Sequence, residues 1–296
     1  MEKVKIGNVD NNALVKSYDE ALSNNNFKDF VNKIKLPAST LMKYTSILES
    51  SCSEYTNCKN CKNILECKNK VTGYAYLPRI ENEELIFSYK PCKYKEKMDK
   101  ETNHLKNIYM LGVNNYITDA CIENIYKEYK NRNQAIKWII NFLKTYKNDK
   151  HQKGLYLSGS FGCGKTYLIS ALFNELAKKG YKSSIIFWPE FLRDLKASFE
   201  LDFREKFDTI KTTPILLIDD IGSEVVTPWS RDEILCTILQ YRMQEHLPTF
   251  FTTNFNKEEL ERHLSNNNDE LKAKRIMERI NQLTDNIEVI SDNLRK

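Results

Sequence analysis

The run GSFGCGKT, Gly159 to Thr166, fits the spacing G-x-x-x-x-G-K-[ST] and stands between an apolar stretch, GLYLSGS, and an amphipathic one, TYLISALFNELAKKG. Glycines so spaced let a loop turn its N–H groups inward around phosphate oxygens, and a helix starting there favours negative charge at its N-terminus. On this reading Lys165 reaches the outer phosphates of a nucleotide and the Thr166 hydroxyl ligates magnesium, while Ser160, Phe161, Gly162, Cys163, Gly164 and Tyr167 complete the cradle. Such a loop needs a strand before it and a helix after it, which commits this part of the chain to an α/β architecture.

The surrounding pattern agrees. AIKWIINFLKTY reads as a helix, KSSIIFWP as a strand stopped by Pro189, FLRDLKASF as a helix, PILLIDDIG as a strand, RDEILCTILQYRM as a helix and PTFFTTNF as a strand. Alternation of this kind predicts a parallel sheet flanked by helices. The run ILLIDD is a buried strand ending in Asp219 and Asp220. With the loop in place, Asp219 is the outer partner of the magnesium beside Thr166, and Asp220 polarises an attacking water; a core strand closing in a polar turn is the plainer alternative. Asn254, at the end of PTFFTTN, is either a sensor of the terminal phosphate or the N-cap of a helix over KEELERHL. Arg275 and Arg279 lie one helical turn apart in KAKRIMERI. They form a solvated basic face, or a pair in which one reaches the nucleotide of a neighbouring subunit and the other reads its own. The 17 residues after Arg279 are too few for a large helical lid, so a neighbouring protomer is expected to close the site.

The first third of the chain is different. SYDEALS, FKDFVNKI and, opened by Pro37, PASTLMKYTSILE read as short amphipathic helices, and ELIFSYKPC as a strand ending at Pro91 and Cys92. Between them CKNCKNILEC packs three of the chain's 8 cysteines. Cys58-x-x-Cys61 can hold two positions of a tetrahedral zinc ion, with Cys67 and Cys92 supplying the others and Cys52 in reserve; unligated thiols are the alternative. Four thiolates would make the site structural, with no open position for water. Cys121, Cys163 and Cys236 stand apart as ordinary buried thiols. The opening MEKVKIGNVDNN lacks the apolar run of a signal peptide, and no apolar run approaches the roughly 18 residues of a membrane span, which points to a soluble cytoplasmic protein. In a reducing compartment clustered cysteines favour metal over disulfides. A net charge of +5 permits a nucleic-acid partner without demanding one. The charged stretch KYKEKMDKETNH lacks apolar periodicity and is read as the linker, giving domains over 1–103 and 104–296.

The order of Gly159 to Thr166, Asp219 and Asp220, Asn254 and the arginine pair resembles the AAA+ ATPases. The words LLIDDIGSE, Trp229 with SRDE, ILQYRMQEHLPTFFTTNF and RIMERI are similar to the primosomal helicase-loader branch over residues 108–296, and less strongly over the cysteine module. The resemblance implies an AAA+ P-loop domain preceded by a small, mainly helical zinc-binding domain that docks on the replicative hexameric DNA helicase. It also implies ATP/ADP, Mg2+ and Zn2+ as cofactors, single-stranded DNA as a partner, and self-association on ATP or helicase binding. Related loaders often carry a histidine near Tyr74, where this chain has none, which leaves the ligand set open. Lys196 and Arg204 are candidates for a DNA-facing channel, or for plain solvated surface. Competing readings are a transposition helper ATPase, which would not carry the cysteine cluster, and an adaptor that uses ATP as a switch and barely hydrolyses it. A small-molecule kinase lacks an evident acceptor site.

Overall fold

The computed structural model describes residues 11–82, 84–113, 117–125, 132–147, 151–265, 269–291, 293 and 294. Residues 1–10, the opening stretch without a signal-peptide pattern, lie outside them. The chain divides into two compact units, Met1–Asn103 and His104–Lys296.

In the first unit, α1 (Asn11–Leu22), α2 (Asn25–Val31), α3 (Ala38–Leu41) and α4 (Thr45–Asn60) are followed by a hairpin of β1 (Tyr74–Glu81) and β2 (Glu84–Pro91). Asn24 caps α2 by accepting N–H bonds from Asn26 and Phe27. Tyr18, Phe27, Phe30, Val31, Leu41, Leu48 and Cys52 fill the helical core, and Leu85 brings the hairpin onto it. The buried Glu54 of α4 accepts the Tyr76 N–H at 2.7 Å, so a carboxylate holds the hairpin to the helices. The stretch read as a linker is instead α5 (Lys93–Thr102), supported on its exposed side by the Lys95–Asp99 and Lys97–Glu101 pairs one turn apart.

The second unit is built on a six-stranded parallel sheet. In chain order its elements are β3 (Ile108–Leu111), α6 (Arg132–Thr145), β4 (Gly154–Gly159), α7 (Lys165–Lys178), β5 (Ser183–Phe187), α8 (Trp188–Ala197), α9 (Glu200–Thr212), β6 (Ile215–Asp219), α10 (Cys236–Gln244), β7 (Thr249–Thr253), α11 (Lys257–Leu264), α12 (Glu270–Leu283) and β8 (Thr284–Val289). The strands lie in the order β3-β5-β6-β7-β4-β8. Side chains alternate between the two faces, as the pleat requires. Leu155, Leu157, Ile215, Leu217 and Phe250 pack toward α6 and α7. Tyr156, Leu216, Ile218 and Phe251 pack against the helices of the other face. Both faces are covered, which is why these strands read as unbroken apolar runs. Pro189 does not stop a strand: β5 ends at Phe187, and the proline occupies the first turn of α8, where its missing N–H costs nothing. Among the described residues, no helix is long and apolar enough to cross a membrane.

Candidate nucleotide-binding site

The strand ends of the second unit surround a cavity of about 1220 Å³, lined among others by Phe161, Gly162, Gly164, Lys165, Thr166, Tyr167, Asp219, Asp220 and Asn254. Parallel topology causes this convergence, because β4, β6 and β7 all point the same way and deliver their C-terminal residues to one edge.

Lys165 opens α7, and its Nζ donates to the carbonyls of Gly159 at 3.0 Å and Ser160 at 2.9 Å and to Asn254 Oδ1 at 2.7 Å. The loop lysine and the tip of β7 are therefore already in register. Thr166 Oγ1 donates to Asp219 Oδ1 at 2.7 Å, joining loop and β6 at the place where two hard oxygen donors for a divalent cation were expected. Asp219 is buried, and burial pushes its carboxyl up from the ordinary range, while the hydroxyls of Thr252 and Thr166 pull it down. Thr252 was not foreseen. Its hydroxyl donates to Asp219 at 2.5 Å and accepts the Asp220 N–H at 2.9 Å, fixing both acids to β7. Asp220 turns out of the strand with φ 59° and lines the cavity. The only sequence signal for Thr252 was a hydroxyl inside an apolar strand.

Asn254 is not a helix cap: Asn256 caps α11, in a reciprocal pairing with Glu259. The arginines part company. Arg275 is exposed, whereas the half-buried Arg279 donates to Gln240 Oε1 at 2.8 Å and Cys236 Sγ at 3.1 Å on α10, and neither lines the cavity. Arg279 is thus engaged within its own chain. Lys196 lies over the Trp229 ring at 5.2 Å, and Arg204 pairs with Glu200 at 2.8 Å in an exposed bridge.

Other features of the cavity were invisible in the sequence. The segment from Ile117 to Ile125 forms part of its wall, tied to α7 by Asn174 Nδ2, which donates to the Ile117, Thr118 and Ala120 carbonyls, and by the Cys121 N–H, which donates to the Tyr167 hydroxyl. Beyond β8 the chain straps the loop: Ser160 Oγ donates to the Ser291 carbonyl at 2.8 Å, and the Leu294 N–H donates to the Gly162 carbonyl at 2.9 Å. Arg132, at the start of α6, also lines the cavity.

In the first unit Cys58, Cys61, Cys67 and Cys92 line one pocket. Asn69 Nδ2 donates to Cys58 Sγ at 3.2 Å and the Gly73 N–H to Cys67 Sγ at 3.3 Å. Burial pushes the Cys58 thiol up, the Asn69 hydrogen bond pulls it down, and the nearby Cys92, Cys67 and Cys61 add to the rise. Cys61, however, donates to the Asn63 carbonyl at 2.9 Å, and among the described residues no three His, Cys, Asp or Glu side chains are gathered into a group that would hold a metal ion. Cys52 is no reserve ligand, because it belongs to the helical core.

Comparison with known proteins sets this geometry in a family. The model of the IstB-like ATP binding proteins matches residues 93–296. The replicative helicase loader DnaI of Bacillus subtilis is 35% identical over 266 residues, covering 88% of this chain and 84% of that protein. A crystal structure of DnaI superposes with a TM-score of 0.60 at 41% identity, over 65% of this chain and all of that one. A putative primosome component from Streptococcus pyogenes does so with 0.57 at 34%, over 66% of this chain and all of that one. The parallel sheet, its phosphate loop and these matches have one reading: the chain belongs to the IstB-like ATP binding family and, within it, to the DnaI-type replicative helicase loaders.

Proposed function

We propose that the protein loads the replicative hexameric DNA helicase in an ATP-dependent manner, docking through residues 1–103 and binding ATP and single-stranded DNA through residues 104–296. The observation that carries this is the meeting of Lys165 with Asn254, and of Thr166 with Asp219, across three strand ends of one cavity. The likeness to DnaI adds the first unit. Its 266 aligned residues exceed what 104–296 can supply, so the similarity runs into the helical module.

In the hydrolysis proposed here, water attacks the γ-phosphorus in line as the bond to the β-bridging oxygen breaks, giving ADP and phosphate. Asp220 orients the water and accepts its proton, Lys165 balances charge on the phosphates, and Asn254, bonded to Lys165, lies where the terminal phosphate can be sensed. The Thr166 hydroxyl and the Asp219 carboxylate fit Mg2+, which when bound would neutralise charge between the β- and γ-phosphates. Arg275, exposed on α12, is the better placed of the two arginines to act on a neighbouring protomer, which would make turnover depend on self-association. The four thiols around one pocket favour Zn2+ as the closure of the first unit, provided Cys61 leaves the Asn63 carbonyl.

Gel filtration of the full chain with the replicative helicase, together with phosphate release with and without single-stranded DNA, tests the reading. Co-elution and turnover abolished by K165A are expected. Failure to co-elute removes the loader function and leaves the transposition helper. Co-elution without turnover leaves the ATP-switched adaptor.

A further inference from the structure

Arg132 has no role in the scheme above, yet it is among the most deeply buried large side chains, with 1% exposure, and it lines the nucleotide cavity. Its guanidinium lies against the phosphate loop. A β-carbon built on Gly164 would fall 3.2 Å from Arg132 Nη2, and 3.9 Å from Leu294 Cδ1. Arg132 and Leu294 thus both flank Gly164, and the cavity they line is also lined by Val113, Ile117 and Ile125, an apolar surface that suits a base. Lys165 donates to Asn254, and the next residue, Thr166, donates to Asp219, so these side chains form two separate pairs in which Arg132 has no part. A permanently charged planar fork with five donors suits phosphate and ribose oxygens, and a low-dielectric wall strengthens such bonds.

The geometry points to Arg132 as a second cationic contact of the nucleotide. Its guanidinium donates to the nucleoside and α-phosphate portion that ATP and ADP share, while Lys165 serves the outer phosphates. The inference rests on the nucleotide reading of this cavity and adds a division of labour within it. Arg132 sets affinity without distinguishing the two nucleotides, whereas Lys165 and Asn254 distinguish them.

The test is titration of the full chain with fluorescent ATP and ADP analogues, beside the melting temperature without nucleotide. R132Q is expected to weaken both nucleotides by about tenfold or more and to the same extent, as loss of a charge-assisted hydrogen bond would. K165A is expected to weaken ATP more than ADP. R132K keeps the charge and most of the volume but not the fork, and is expected to lose about fivefold for both nucleotides. Unchanged affinity in R132K, or an R132Q protein that melts lower while binding both nucleotides as the wild type does, would overturn the assignment and leave Arg132 a packing residue. A wild-type chain that binds neither analogue overturns the nucleotide reading itself, and so is told apart from failure of this inference alone.

Discussion

Alanine in place of Gly159 measures how tightly the phosphate loop is held against the neighbouring strand. Gly159 has φ 144°, and its β-carbon would fall 1.9 Å from the carbonyl oxygen of Val289, its partner in the β4–β8 ladder. Backbone on both sides leaves no flexible atom to give way. Gly180 is the reference, with φ 87° and nothing within 4 Å of a built β-carbon. G180A therefore costs only the left-handed backbone, about 1–2 kcal/mol. G159A combines backbone strain of about 1–3 kcal/mol with displacement of a packed strand, about 1–3 kcal/mol. It is expected to exceed G180A by about 2 kcal/mol or more, which at a urea m-value of about 2 kcal/mol/M lowers the midpoint by about 1 M further. Tryptophan fluorescence is the right probe, because all 3 tryptophans, Trp138, Trp188 and Trp229, lie in the second unit. Equal midpoint shifts for the two variants, at unchanged m, would refute the close approach of the loop to β8.

The raised carboxyl of Asp219 has a thermodynamic sign: a buried acid pushed up stabilises the fold below its unfolded pKa and loses that contribution as pH rises through the folded one. D219N is thus expected to raise the melting temperature of the unliganded chain at pH 7 while abolishing phosphate release; a lower melting temperature would contradict the desolvation argument. Asp232 has the opposite sign. Hydrogen bonding to Arg231, with Lys272 adding to it, pulls its carboxyl down to about 2, so its contribution is whole above the ordinary carboxylate range and drains as pH falls toward that value. Comparing D232N with wild type should show about 1 kcal/mol at pH 7, after allowing for solvent screening, and convergence between about pH 4 and pH 2; a gap that persists in acid would exclude the ion pair as its source. Chelation followed by metal analysis should release about one zinc per chain and lower the melting transition of the first unit, and purified protein without zinc but with that transition intact would return the cysteines to unligated thiols.

The sheet was legible where strands are buried on both faces, as ILLIDD and PTFFTT are, and much less so elsewhere. β8 carries the polar run TDNIEV at an edge, and β3 is short and follows a charged stretch. The helix α9 buries Ile210 alone, too little for an apolar stripe to stand out. At the site, the loop word and the acids at a strand end sit at fixed local spacings, so sequence exposes them. Thr252, Arg132 and the strap beyond β8 matter through contacts with residues far along the chain, which no local pattern encodes. The arginine pair shows the same limit from the other side: helical spacing put both on one face correctly, but Gln240, 39 positions away, decides that Arg279 is engaged.

The placement of β4 between β7 and β8 also bears on synthesis. The phosphate loop takes its shape from a flank made long afterwards, since Ser160 and its partner Ser291 are 131 positions apart. The first unit, rich in near-neighbour helical contacts, can form while the rest is still on the ribosome; the loop must wait, because distant pairings are slow and unrewarded until both strands exist. A chain cut short before Thr284 therefore keeps the helical module and lacks a closed nucleotide loop, which makes ATP binding a report that the polypeptide is complete through β8.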